Sequence, residues 1–258
     1  MTSLIIASAQ IKNIKNNVQD NLEKHYQYIE MAVNENVDLI VFPEMSLTGY
    51  EREDALHQAF AWDDKCLEGL QNASDANSMV IVAGGPLLYE QKLYIASFIF
   101  MPHEKVKVYF KKHLHEGEDV FFSPFDENEI SWGQSQFIFK DHLISPAICY
   151  DIEVEDHIKN AADCESSLYM ASIFYSQGSI NILHEKMKMM AAKYKMNILI
   201  SNFAGECWET ESGGKSAFWS SQGHPVVEAP DNEECLLIAG LSHQQGPFRV
   251  DFINKRVN

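Results

Sequence analysis

Residues 37–50 read VDLIVFPEMSLTGY. Leu39 to Phe42 make an apolar run without alternation, which suits a strand buried on both faces rather than one with a wet side. The run ends at Phe42-Pro43 and delivers Glu44 to its carboxyl end, where ligands gather in open α/β sheets. A partly buried carboxylate there could serve as a general base, or it could simply orient the loop that follows.

Runs of the same kind recur along the chain, at residues 4–7, 80–83, 94–100, 106–110, 137–139, 144–149, 168–171, 198–201, 226–228 and 235–239. Helical patterns separate some of them. Asp20 and Glu23 have capping-box spacing, and Leu22, Tyr26, Ile29 and Val33 then share one face. A second stripe runs Ile180, Leu183, Met187, Met190 and Tyr194, with Lys186, Lys188, Lys193 and Lys195 opposite. Between Tyr94 and Phe110 two strand runs follow each other without a helix, so the predicted sheet is mixed. No repeat, low-complexity tract or Pro/Gly-rich linker divides the chain, and one α/β domain over residues 1–258 is expected.

The 258 residues carry 20 basic and 37 acidic side chains, a formal charge of −17. That balance argues against nucleic acid, which needs clustered Lys and Arg, and against an anionic membrane surface. Hydrophobic residues make up 46%, the composition of a globular chain. No run approaches the length of a transmembrane helix, and the first residues lack a basic, signal-like start. The five cysteines (Cys66, Cys149, Cys164, Cys207 and Cys235) are scattered without a CxxC pair. Neither a disulfide framework nor a zinc ribbon is predicted, and a reduced, cytoplasmic location is expected.

Two further segments carry chemistry. In VYFKKHLHEGEDVFFSPF, residues 108–125, a strand exits into Lys111, Lys112, His113 and His115. A lysine there could stabilise an oxyanion or a thiolate. Alternatively, His113, His115 and the nearby carboxylates Glu116, Glu118 and Asp119 could ligate a metal. In HLISPAICYDIE, residues 142–153, a strand runs into Cys149, placing a thiol at a turn as nucleophiles often sit. The Tyr150 N–H could then face an oxyanion. Of the other cysteines, Cys66, Cys164 and Cys235 read as structural, and Cys207 as lying in a polar, exposed loop.

Taken together, PEMSLTGY (43–50), YFKKHL with its downstream glutamate (109–118) and ICYDIE (148–153) resemble the Glu–Lys–Cys signature of the nitrilase superfamily, the carbon–nitrogen hydrolases. NILISNFAGE (197–206) and GGKSAFWSSQGHPV (213–226) extend the resemblance over most of the chain. It implies a four-layer α-β-β-α sandwich and a thiol-dependent hydrolase of non-peptide carbon–nitrogen bonds, of the amidase-like branch. Cys149 would be the nucleophile, attacking as a thiolate with a lowered pKa. Glu44 would be the general base, and Lys111, in the family's Lys-x-His-Leu pattern, would stabilise the tetrahedral intermediate. Glu118 matches the family's second glutamate, which would support the lysine and bind substrate. Tyr50, Tyr150, Phe174 and Trp208 are candidate pocket walls. No metal or organic cofactor is implied, the partner is a small amide, and a homodimer or larger is expected, with helix 180–196 as contact surface. A non-catalytic binding protein on the same fold is the alternative.

The sequence also departs from the family. Amidase-type members carry Arg-Phe-Pro-Glu two residues after Cys-Tyr-Asp, whereas this chain has Glu153, Val154, Glu155 and Asp156. Substrates that depend on that arginine are thereby disfavoured, and Tyr150-Asp151 in place of Trp-Glu disfavours nitriles. No appended domain is visible, which points away from glutamine-fuelled synthetases. The acidic residues near the nucleophile and lysine predict an acidic rim that prefers neutral or cationic amides.

Overall fold

The computed structural model describes residues 3–126 and 136–242, together with the backbone of 250–254. Strand β1 (Leu4–Gln10) leads through helix α1 (Val18–Asn34) to β2 (Leu39–Val41). Helix α2 (Glu68–Asn77) precedes β3 (Val80–Tyr89), β4 (Lys92–Phe100) and β5 (Lys107–Phe110). The second half brings β6 (Phe137–Phe139), β7 (His142–Ile148), α3 (Glu155–Asp163), β8 (Leu168–Ser172), α4 (Ile180–Tyr194) and β9 (Asn197–Ser201). It closes with the short β10 (Glu206–Cys207) and β11 (Thr210–Glu211), then β12 (Ala217–Trp219), β13 (Pro225–Glu228), β14 (Cys235–Leu241) and β15 (Val250–Asn254).

Among the described residues these strands form two large mixed sheets and a small hairpin. The first sheet has the order β15-β14-β1-β2-β3-β4-β5 and the second β13-β12-β9-β8-β7-β6. β1, β2 and β3 run parallel, as do β7, β8 and β9, while the outer strands pair antiparallel. Helices α1 and α2 cover the first sheet and α3 and α4 the second, giving the α-β-β-α sandwich that the sequence predicts. The inner faces of the sheets approach closely, and serines stitch them together. Ser8 Oγ donates to Ile200 O at 3.1 Å, Ser172 Oγ to Phe42 O at 2.8 Å, and Ser201 Oγ to Ala9 O at 3.1 Å. Each small hydroxyl answers a carbonyl of the facing layer in the interior, where an unpaired polar group would be costly.

Helix α1 begins earlier than expected. Asn17 is its cap, accepting from the Asp20 N–H at 3.1 Å, so Asp20 lies inside the first turn rather than before it. Its buried face is also rotated: Leu22 and Ile29 are buried as expected, but Tyr26 and Val33 are only partly so, and His25, Tyr28 and Ala32 fill the core. His25 is tolerated there because both ring nitrogens are satisfied, by Asn21 O at 2.6 Å and Ser46 Oγ at 2.9 Å. In α4 the expected stripe holds through Ile180, Leu183 and Met187, with Ala191 closing it. No helix among the described residues is long and apolar enough to cross a membrane.

Candidate active site

β2, β5 and β7 deliver the three chemistry-bearing segments to one end of the sandwich. Glu44 follows β2, Lys111 follows β5 and Cys149 follows β7, all buried. The loop after Glu44 folds tightly onto β3. A Cβ on Gly84 would stand 2.6 Å from the Met45 nitrogen, and Leu47 N donates to Gly84 O at 2.9 Å. Only glycine allows that approach.

Lys111 lies between two carboxylates. Its Nζ is 2.8 Å from Glu44 Oε1 and 2.8 Å from the Glu118 carboxylate, with all three side chains out of contact with solvent. Glu118 is fixed further by the His115 N–H at 2.7 Å and the Tyr50 hydroxyl at 3.2 Å. Two carboxylates and one ammonium leave the cluster one negative charge in excess. Burial, aided by Glu118 against the opposing pull of Lys111, pushes the Glu44 carboxyl up to about 7. Burial would lower Lys111, but Glu44, Cys149 and Glu118 hold its ammonium above the ordinary lysine range. Glu44 Oε2 has no hydrogen-bond partner in the structure.

Cys149 opens a single turn of 3-10 helix, Cys149–Glu153, with φ at +43°, a left-handed value that non-glycine residues adopt at a cost. Its Sγ is 3.6 Å from Phe174 O. The thiol is not the low-pKa group expected from the sequence. Burial and the negative charge of Glu44 push it well above the ordinary thiol value, and Lys111 only partly compensates. A thiolate here would add a second negative charge to the cluster, so the proton stays on sulfur until a base removes it.

Sequence reasoning missed the residue that ties this end together. Asp151 is fully buried and accepts from the Tyr109 hydroxyl at 2.6 Å, from the His113 N–H at 2.9 Å and from the Ile148 N–H at 2.9 Å. Lys112 N adds a fourth bond at 3.1 Å, and His113 Nδ1 lies 3.0 Å away. Burial works against its charge, but these donors and nearby His157 hold the carboxyl below the usual range. One side chain thus pins the residues after Lys111 to the turn that carries Cys149. Its place in the ICYDIE motif was the available signal.

A pocket of about 380 Å³ opens onto Cys149, lined among others by Tyr50, Arg52, Tyr150, Glu153, Phe174 and Trp208. Tyr50, Tyr150, Phe174 and Trp208 thus line the pocket, whereas Glu118 is fully buried against Lys111. The Tyr50 and Phe174 rings pack at 4.8 Å. Tyr150 is 36% exposed, with its ring edge-on to His115 at 5.4 Å. Two expectations fail. Cys207 is buried, because β10 and β11 fold it inward. The acidic rim is largely absent: Glu155 pairs outside with Lys193, Asp156 lines a separate hollow, and Glu153 reaches the pocket already paired with Lys186 at 2.6 Å and the Tyr175 hydroxyl at 2.6 Å. His113 faces Asp151, whereas His115 Nδ1 faces Glu116 O at 3.0 Å. Among the described residues no three His, Cys, Asp or Glu side chains form a metal-holding group. The sequence also suggests residues 119–135 as a loop shaping the pocket, and 127–135 of that stretch lie outside the described residues.

This arrangement, a buried carboxylate–ammonium–carboxylate cluster beside a thiol at a strand end, defines a thiol-centred site on an α-β-β-α sandwich. The carbon–nitrogen hydrolase family model matches residues 5–246, and the chain belongs to that family, within the nitrilase superfamily. Nit3 of Saccharomyces cerevisiae, a member of branch 10 of the nitrilase superfamily, superposes with a TM-score of 0.84 at 19% identity, covering 94% of this chain and 91% of that one. A Cys→Ala mutant of a Nesterenkonia amidase gives 0.82 at 19% identity, covering 93% and 91%. The glutamine-dependent NAD(+) synthetase of Acinetobacter baylyi is 23% identical over 255 residues, which are 96% of this chain and 46% of that protein. The chain spans less than half the length of the curated relatives it matches.

Proposed function

We propose that this chain hydrolyses a small amide through a Cys149 acyl-enzyme. The observation that carries the reading is Lys111, buried between Glu44 and Glu118 beside the thiol. Glu44 takes the Sγ–H proton as sulfur bonds to the carbonyl carbon. The Lys111 ammonium, with the Tyr150 N–H, balances charge on the oxyanion. Collapse breaks the C–N bond, and Glu44 returns the proton to the departing amine. Glu44 then deprotonates a water that attacks the thioester, and the C–S bond breaks to free the acid and the thiol. The raised thiol pKa favours this concerted route over a standing thiolate, and a Glu44 pKa near 7 suits a base that must also act as acid.

Ammonia release across short aliphatic amides, carbamoyl compounds, nitriles and glutamine tests the reading. Release that disappears in Cys149→Ala is expected. Release that persists in Cys149→Ala, or no release from any compound, contradicts it. A second reading comes from the synthetases: the ammonia could feed a second reaction, as their glutamine dependence implies for those proteins. It requires glutamine to be the preferred amide in the same panel.

A further inference from the structure

The pocket holds a cation that has no ion-pair partner among the described residues. Arg52 is 7% exposed and lines the cavity that opens onto Cys149. Its guanidinium carbon lies over the Trp208 ring, 3.8 Å from the ring centroid, and Nη2 donates to the Tyr50 hydroxyl at 3.1 Å. Its Nε has no hydrogen-bond partner, and no carboxylate among the described residues pairs with it. The acidic neighbours are engaged elsewhere: Glu51 with Lys15 at 2.6 Å, Glu153 with Lys186 at 2.6 Å, and Glu118 with Lys111 at 2.8 Å. Besides Glu153, the thiol and the tyrosines, His115 is the other titratable group on the pocket wall. A buried, unpaired guanidinium is costly unless something returns its charge and fills its donor fork.

Resting on the amide-hydrolase reading, the geometry points to Arg52 as the residue that selects the substrate, by binding a carboxylate carried on the acyl part of the amide. The planar fork offers paired N–H donors to a carboxylate, as a lysine in its place would not. Contacts with Trp208 and Tyr50 hold the guanidinium in place, so little side-chain freedom is lost on binding. The arginine absent after the nucleophile turn, where Glu153 stands, is thereby replaced in function from a different loop. This choice is opposite to the neutral or cationic preference that the acidic sequence around Cys149 predicts.

The test pairs the monoamides of malonate, succinate and glutarate with propionamide, butyramide and valeramide, which lack the carboxylate. In the wild-type enzyme at least one anionic amide is expected to exceed its neutral partner in kcat/KM by roughly 100-fold. Arg52→Gln should remove that preference, mainly through KM, and Arg52→Lys should restore only part of it. Equal kcat/KM for charged and neutral partners, or a preference surviving Arg52→Gln, overturns the proposal while leaving amide hydrolysis intact. A second readout does not need turnover: malonate, succinate or glutarate should slow iodoacetamide alkylation of Cys149 in the wild type and not in Arg52→Gln. Protection by none of the three acids overturns the assignment, whether or not any amide is hydrolysed.

Discussion

Glu44 is the residue on which the chemistry turns, because it must be charged to accept the thiol proton and its pKa is pushed up to about 7. Its basic form is lost as pH falls through that value, so kcat/KM should rise with pH through about 7. No alkaline fall from Lys111 is expected below the ordinary lysine range, since its neighbours hold its proton. A profile flat from pH 5 to 9 would contradict the assignment. Glu44→Gln should lower kcat by about 10³-fold or more while leaving the fold intact. Lys111→Met should do more harm, leaving Glu44 and Glu118 buried without their counter-ion at a cost of about 3–5 kcal/mol. Chemical denaturation of the two variants separates these outcomes.

The positions of these residues depend on the elements that present them. His25, from α1, supports the loop after Glu44 through Ser46, and burial drives its pKa down to about 4. The folded state holds this ring neutral, so its stability contribution is complete above the unfolded value near 6.5 and declines as pH falls towards 4. Over that window about 3 kcal/mol should be lost. His25→Gln should flatten the decline, as urea unfolding at pH 7 and pH 5 would record. Gly84→Ala should cost about 1–3 kcal/mol, since the clash is with backbone. It should also lower kcat by shifting Glu44, without abolishing folding. Asp151→Asn should reduce kcat more than it raises KM, because the residue holds the catalytic segments and touches no substrate.

The elements differ in how plainly the sequence announces them. The unalternated runs ending at Glu44 and Cys149 were legible because strands covered on both faces need no polar side. The mixed sheet followed from two strand runs with no helix between them. The β10–β11 hairpin was not legible: Trp208 and Glu209 adopt positive φ, +47° and +58°, where a two-residue turn usually advertises Asn-Gly. Missing that hairpin hid both the burial of Cys207 and the platform for Arg52. The unpaired state of Arg52 depends on where Glu51, Glu118 and Glu153 find partners, and two of those partners, Lys15 and Lys186, lie far away in the chain.

At the scale of the whole molecule, the net charge of −17 gave a misleading picture of the pocket. Many surface acids pair locally, while the cavity keeps the Arg52 cation beside a Glu153 already paired with Lys186, so the overall charge does not predict the charges that face a substrate. The outer side of α4 leaves Ile182 75% and Met189 60% exposed. We take that face as the seat of a second copy, and sedimentation should show a dimer that weakens in the pair Ile182→Glu and Met189→Lys. A monomer at all concentrations would rule this contact out. The serine stitching between sheets joins the β2 and β7 halves of the site into one body. Ser172→Ala, which leaves Phe42 O unanswered one residue from Pro43, should cost about 1–3 kcal/mol in urea unfolding.

The central claim is an acyl group carried on Cys149, and trapping that group tests it most directly. With an amide substrate and hydroxylamine as acceptor, the thioester should yield the hydroxamate. Formation should depend on Cys149 and be slowed in Glu44→Gln. Amide hydrolysis without hydroxamate, or hydroxamate formed equally by Cys149→Ala, would contradict the account.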